Sequence, residues 1–322
     1  MFDLAKKKAF VCDLDGTLFM GPNPIKPAVD FVIRNTQSGR FRYFYLTNNT
    51  SKCPAEYLKK ISGAAIPVTE EQILTPLITL EAYIREKGYR SVYLIATDKV
   101  RAHMEARLNG PEEAARGRAG NVSVAPRAQA GNVSGAPRVQ AGNVSGAPRA
   151  RVKFEYDPEA NELIALAYDK EITYEKLANA TRLWNMRNVP PSQMCPVRTK
   201  NQTPIDFVGT HPDNCCPSEQ GPIPDMGALM KLLEITNGMK PSHVFGKPSP
   251  TLLAPVLEQF KPEEIAVVGD RLYTDKAIAD NAGVDFVCVL SGETTRADLA
   301  AYKGTPPAIV VNTFDEVEKA AD

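Results

Sequence analysis

Four short segments of this sequence place polar, chemically capable side chains directly after apolar or turn-forming stretches. Asp13, Leu14, Asp15, Gly16 and Thr17 follow the apolar run 9–12. Two carboxylates two residues apart enter one pocket only if the chain bends between strand and loop, and Gly16 permits that bend. Such a pair suits covalent phosphoryl transfer: one carboxylate attacks phosphorus, while the other protonates the leaving oxygen and later deprotonates water. Thr47, Asn48 and Asn49 follow the run 41–46 and offer a hydroxyl and two amides to phosphate oxygens. Read alone, they serve equally as turn and helix-capping residues. Lys247 lies between Gly246 and Pro248, on backbone that continues neither strand nor helix. Its ammonium is suited to neutralise phosphate and nucleophile together, although an isolated loop lysine is ordinarily solvated. Asp270 and Asp275 follow the apolar run 265–268. Acids at the end of a buried strand are expensive unless they hold a cation or hydrogen-bond partners. Mg²⁺ is the natural choice, since it takes oxygen ligands and bridges to phosphate. Asp275 has the alternative of capping the helix that follows.

The elements that position these groups read as βα units. Runs rich in β-branched and aromatic residues at 9–12, 41–46, 265–268, 286–290 and 308–311 alternate with helix-like stretches. The expectation is an α/β fold with a doubly wound parallel sheet, ligands binding at the carboxyl ends of its strands. Between the two blocks lie further strands at 92–96, 163–167 and 205–208 and a helix over 174–187, read as an inserted second domain. The expected organisation is a core over 1–88, a cap over 89–225 and the rest of the core over 226–322, with edges where turn-rich sequence gives way to patterned segments.

Inside the insertion a unit repeats every eleven residues, opening at Gly120, Gly131 and Gly142 with Gly, Asn, Val, Ser. Each unit carries Pro and Gly and almost no large apolar residue, so the segment 114–152 is expected to be a disordered low-complexity loop. Its six arginines stand without an acid, but a surface expansion costs only slowly growing loop entropy and needs no partner to explain it.

Over the whole chain 38 basic residues balance 38 acidic ones, so no single-sign field recruits nucleic acid or a membrane surface. No apolar run reaches the ~20 residues of a membrane span, and residues 1–8 lack the apolar stretch of a signal peptide. The cytoplasm is the expected compartment. The six scattered cysteines fit a reducing environment, and the adjacent Cys215 and Cys216 have no second pair at metal-ligand spacing.

The four motifs, in this order and with a large insertion between the second and third, resemble the haloacid dehalogenase superfamily. The branch is the one with a large α/β cap, similar to p-nitrophenyl phosphatases, phosphoglycolate phosphatases and NagD-type phosphatases. In the inserted domain, residues 169–177 and 207–229 look like that branch as well. The resemblance implies a Rossmann-like core and a Mg²⁺-dependent phosphatase of small phosphomonoesters. It makes Asp13 the nucleophile, Asp15 the general acid and base, and Lys247 the charge-stabilising group. It places Thr47, Asn48, Asn49 and Gly16 around the phosphoryl group, and Asp13, Asp15 (through its carbonyl), Asp270 and Asp275 around the metal. Family members commonly have Asn where this chain has His211, in a cap segment facing the substrate, so His211 joins the substrate-binding candidates. The acid at position 15 favours a phosphatase or phosphomutase over a dehalogenase or ATPase, while a non-catalytic binding protein would have no reason to keep clustered acids. The partner implied is a small phosphomonoester, with no nucleic acid and no membrane, and relatives pair as homodimers through their caps.

Overall fold

The computed structural model describes residues 2–110, 151–190, 197, 199–216 and 220–321. The repeats opening at Gly120, Gly131 and Gly142 lie outside these residues. In chain order the strands are β1 (Ala9–Asp13), β2 (Phe19–Met20), β3 (Asn23–Pro24), β4 (Arg42–Leu46), β5 (Ile73–Leu74), β6 (Val92–Ile95) and β7 (Leu163–Leu166). They continue as β8 (Asp206–Gly209), β9 (Cys215–Cys216), β10 (Ile223–Pro224), β11 (His243–Val244), β12 (Ile265–Gly269), β13 (Asp285–Val289) and β14 (Ile309–Val311).

Six of them form one parallel sheet in the order β14-β13-β12-β1-β4-β5. Because side chains alternate along a strand, Phe10 and Cys12 of β1 enter one apolar cluster with Tyr43, Tyr45 and Val268. Ala9 and Val11 enter the opposite one with Phe44, Leu46 and Val267. Burial on both faces explains why β1 and β12 read as continuous apolar runs, as strands of a helix-covered parallel sheet must. Phe10 makes edge contacts with Phe41 and Phe314 at centroid distances of 5.0 and 5.2 Å, which ties the middle of the sheet to the C-terminal segment.

The register delivers the motifs to one rim. Cys12 pairs with Val268 and Asp13 with Leu46, so Asp13, Thr47 and Asp270 leave the sheet together at its carboxyl edge. The chain starts at β1, proceeds to β4 and β5 on one side, and later fills β12, β13 and β14 on the other. The crevice beside β1 is thus a topological switch point, where such sheets bind ligands.

The second unit is a parallel sheet ordered β11-β8-β7-β6. The helix Pro76–Lys87 covers one face, burying Leu77, Leu80 and Ile84 against Val92, Leu94 and Leu163. The helices Tyr174–Asn188 and Met226–Asn237 cover the other, with Leu183, Met230 and Leu233 packed on Ile164, Leu166 and Phe207. Helix Pro76–Lys87, which precedes the expected 89–225, and strand β11, which follows it, both pack with this sheet. Gly88 ends that helix in the left-handed conformation at φ 72°, and Ile223 and Pro224 of β10 pair antiparallel with Cys216 and Cys215 of β9. Strand β11 returns the chain to the core three residues before Lys247. Among the described residues no helix is long and apolar enough to cross a membrane.

If the helix Pro76–Lys87 belongs to the second unit, Leu80→Ala, at a position with no exposure, removes a core contact of that unit. The expected loss is about 2–5 kcal/mol, read from urea unfolding. A loss below ~1 kcal/mol would show that the helix is a loosely attached linker.

Candidate active site

Asp13 is the last residue of β1 and only 7% exposed. One of its oxygens, Oδ1, accepts a hydrogen bond from Lys247 Nζ at 2.5 Å, and the same ammonium donates to Asp275 Oδ1 at 2.6 Å. Carboxylate oxygens of Asp13, Asp270 and Asp275 lie within 4.8 Å of one another. All three residues and Lys247 are buried. The four groups come from the two distant core segments, and the fold brings them together.

Glycines make this convergence possible. A Cβ on Gly16, whose φ is +90°, would fall 2.4 Å from Asp270 Oδ2, and one on Gly292 would fall 2.0 Å from the same atom. A Cβ on Gly269 would meet Asp275 Cβ at 2.4 Å. The carboxylates thus rest on bare backbone. Asp270 Oδ2 accepts the Glu293 N–H at 2.7 Å, and Asp275 Oδ2 accepts the Arg271 N–H at 3.0 Å. Asp270 Oδ1 is buried without a hydrogen-bond partner.

That orphaned oxygen is where a cation fits. Burial raises the Asp13 carboxyl well above its ordinary range, Lys247 opposes the shift, and Asp275 and Asp270 add to it. Burial, followed by the charge of Asp275, pushes Asp270 up to about 6. For Lys247 burial acts downward, but Asp13 and Asp275 outweigh it and hold the ammonium above its usual range. Lys247 and the Arg271 guanidinium, which also acts on Asp13 and Asp270, do not cancel three carboxylates, and a hard divalent ion with oxygen ligands is the kind of species such a cluster can hold. Asp13, Asp270 and Asp275 are the side chains placed to hold or surround one.

The other predicted residues divide. Thr47 is buried, and its Oγ1 accepts the Asn49 N–H at 3.2 Å. Asn48 is committed on both ends of its amide. Its Oδ1 accepts the Lys247 N–H at 2.7 Å, and its Nδ2 donates to the Lys247 carbonyl at 3.2 Å and to Asp213 Oδ2 at 3.2 Å. It positions the lysine backbone and ties it to the second unit. Asn49 Oδ1 accepts from the N–H and hydroxyl of Ser51, closing a local turn. Asp15 stands apart from the three-carboxylate cluster: its side chain is 47% exposed and accepts from Lys60 Nζ at 2.9 Å. His211 has no exposure, with Nδ1 3.5 Å from Asp213 and Nε2 3.6 Å from Asp225. Neither ring nitrogen makes a hydrogen bond, so its ring lies between two carboxylates rather than on an open surface.

Sequence reasoning missed Lys60 and the bridging part of Asp213. A lysine in the last turn of a helix reads as solvated. The available signal was spacing: in the helix Pro54–Gly63 the buried residues include Tyr57 and Ile61, and position 60 lies three residues from Tyr57, on the margin of the inward face.

Comparison with known proteins gives a consistent picture. Residues 10–107 match the family model described as haloacid dehalogenase-like hydrolase, and residues 244–317 match one described as HAD-hydrolase-like. An acid sugar phosphatase of Staphylococcus haemolyticus is 28% identical over 298 residues, covering 91% of this chain and 88% of the relative. The acid sugar phosphatase of Staphylococcus aureus is 26% identical over 312 residues, 96% of each chain. Among solved structures, the 4-nitrophenylphosphatase of Thermotoga maritima superposes with a TM-score of 0.73 at 27% identity, covering 99% of both chains. A putative nagD protein gives 0.70 at 26% identity, covering 98% of this chain and 97% of that one.

A cation held by the cluster stabilises the folded chain by mass action, about 2.7 kcal/mol at a hundredfold excess over Kd. Saturating Mg²⁺ is therefore expected to raise the Tm of metal-stripped protein by several degrees, and Asp270→Asn to remove most of that rise. Differential scanning calorimetry checks both, and a wild-type Tm indifferent to Mg²⁺ would show that the rim holds no such ion.

Proposed function

The chain belongs to the haloacid dehalogenase-like hydrolases, and on that premise we propose that it is a Mg²⁺-dependent phosphatase of small phosphomonoesters working through an aspartyl-phosphate on Asp13. The observation that carries this reading is the meeting of Asp13, Asp270 and Asp275 at the carboxyl rim of the sheet, with Lys247 Nζ bonded to Asp13 and Asp275. Asp13, Asp270 and the Asp15 carbonyl, with Asp275 as a ligand or supporting it, would hold Mg²⁺, and when bound it would supply positive charge to offset that on the phosphoryl oxygens.

The remaining chemistry belongs to the chain. Lys247 lies against the nucleophile and holds it by charge and hydrogen bond, so Asp13 attacks from a fixed direction. A carboxylate oxygen of Asp13 forms a bond to phosphorus in line as the ester P–O bond breaks, and Asp15 gives its proton to the departing oxygen. In the second half Asp15, now a carboxylate, takes a proton from water as the water oxygen bonds to phosphorus. The acyl-phosphate P–O bond then breaks, its electron pair returns to Asp13, and orthophosphate leaves. Thr47 has a hydroxyl proton to offer a phosphate oxygen, and the second unit excludes bulk water and macromolecules from the crevice.

The names of the relatives, acid sugar phosphatases and 4-nitrophenylphosphatases, support sugar phosphates and aryl phosphates as the first substrates to test. A phosphate-release screen over small phosphomonoesters with and without Mg²⁺ is the direct assay. Free phosphate released without a sugar bisphosphate activator speaks for the phosphatase, since a phosphomutase returns the phosphoryl group to a second hydroxyl instead of to water.

Asp13→Asn removes the attacking oxygen and is expected to lower turnover of p-nitrophenyl phosphate by more than about a thousandfold, with substrate binding partly retained. If that variant keeps a tenth of wild-type hydrolysis at matched Mg²⁺, another residue is the nucleophile.

A further inference from the structure

Asp15 carries two proton transfers in the reading above, yet its carboxyl group is the least enclosed of the reacting acids. Its side chain is 47% exposed, against 9% for Asp13 and none for Asp275. An exposed aspartate rotates freely about two bonds unless something holds it. The contact on Asp15 Oδ1 is Lys60 Nζ at 2.9 Å.

Lys60 is not an ordinary surface lysine. Its side chain is 19% exposed, and the ammonium stands 4.6 Å from the centroid of the Phe19 ring. Phe19 is itself buried, and its carbonyl accepts the Gly16 N–H at 2.7 Å, which closes the loop that carries Asp15. The helix bearing Lys60 is anchored at the opposite end of the site: Tyr57 donates its hydroxyl proton to the Asn49 carbonyl at 2.8 Å, and Ile61 is fully buried. The lysine is therefore fixed relative to the phosphate-facing loop at 47–49 and to the loop after β1. Immobilising a lysine costs up to about 2 kcal/mol of side-chain entropy, and an exposed ion pair alone returns less than that. The geometry makes sense if the gain is the direction of the Asp15 carboxyl.

We propose that Lys60 is a positioning residue for the general acid and base: clamped between the Phe19 ring and Asp15, it aims the Asp15 carboxyl across the mouth of the site, where the leaving oxygen departs and water later enters. The inference rests on the phosphatase reading and adds to it the residue that aligns proton transfer. Its consequence is specific to the leaving group. p-Nitrophenolate departs without a proton, whereas an alkoxide does not. The ratio kcat/KM reports steps only through departure of that group, so a misaligned acid lowers it for alkyl esters and spares it for the aryl ester. A variant that merely loosens the fold lowers both.

The test compares wild type, Lys60→Met and Lys60→Arg at saturating Mg²⁺, on p-nitrophenyl phosphate and on an alkyl phosphomonoester that the wild type hydrolyses, with thermal melting of each protein. For Lys60→Met the expectation is a roughly 10- to 100-fold fall in kcat/KM for the alkyl ester and less than about a threefold fall for the aryl ester. Lys60→Arg, which keeps the charge and the ring contact, should recover most of the alkyl activity. Should Lys60→Met melt below the assay temperature, Lys60→Gln replaces it with the same expected split. Equal falls on both esters, or an unaffected alkyl ester, overturn the role of Lys60 while leaving the phosphatase intact. A wild type that releases no phosphate from any ester overturns the phosphatase reading, and the role of Lys60 with it.

Discussion

Three buried carboxylates and one ammonium at the rim of the core sheet set the terms for the rest of this structure. Two unit charges ~5 Å apart repel by on the order of 3 kcal/mol at an effective dielectric near 20, and burial adds a larger desolvation term for each carboxylate. Lys247, within 2.6 Å of both Asp13 and Asp275, relieves only part of this. Asp270 is left with a buried oxygen that nothing in the chain satisfies. A chain folded for stability alone would replace these groups with apolar ones, since buried ionic clusters rarely improve on packed hydrocarbon. The cluster is a cost to the fold that a bound cation would offset.

The surroundings follow from that cluster. Positions 16, 269 and 292 are glycine because a Cβ at any of them would overlap Asp270 or Asp275. Strands β1 and β12 are adjacent and in register, so one neighbour brings Asp13 and the other Asp270 and Asp275. The long insertion returns to the core through β11 directly before Lys247. The lysine that lies against Asp13 and Asp275 therefore stands where the chain passes from one unit to the other.

Much of this was legible in the sequence because it rests on local patterning. Asp13, Thr47 and Asp270 each follow an apolar run that a parallel sheet buries on both faces, and sheet register then carries them to a common edge. Lys247 was legible as a lysine on backbone held by Gly246 and Pro248. What stayed hidden depends on packing between distant segments. Strand β11 has two residues and no periodicity to detect. The helix Pro76–Lys87 looks like any amphipathic helix, and only its contacts with Val92 and Leu163 assign it to the second unit. Asn48 reads as a phosphate donor, but its amide is spent on Lys247 and Asp213. His211 reads as a substrate contact, but its buried ring faces Asp213 and Asp225.

The Asn48 contacts carry the last step of the argument. Asn48 brackets the Lys247 backbone with two hydrogen bonds and reaches Asp213 with the same amide nitrogen. Close by, Thr50 Oγ1 meets Thr210 Oγ1 at 2.9 Å and accepts the Tyr168 N–H at 2.9 Å. Thr210, Asp213 and Tyr168 all belong to the second unit, at the carboxyl ends of its strands, while Asn48 and Thr50 belong to the loop after β4. This part of the seam between the units is therefore polar and built on a few directional bonds, unlike the apolar interior of either unit. Displacing the second unit would break Asn48–Asp213 and the two bonds of Thr50, and would also pull on the backbone that presents Lys247. The position of the cap and the alignment of the charge-balancing lysine are thus set by the same short list of hydrogen bonds, which gives the enclosing unit a direct hold on the chemistry beneath it.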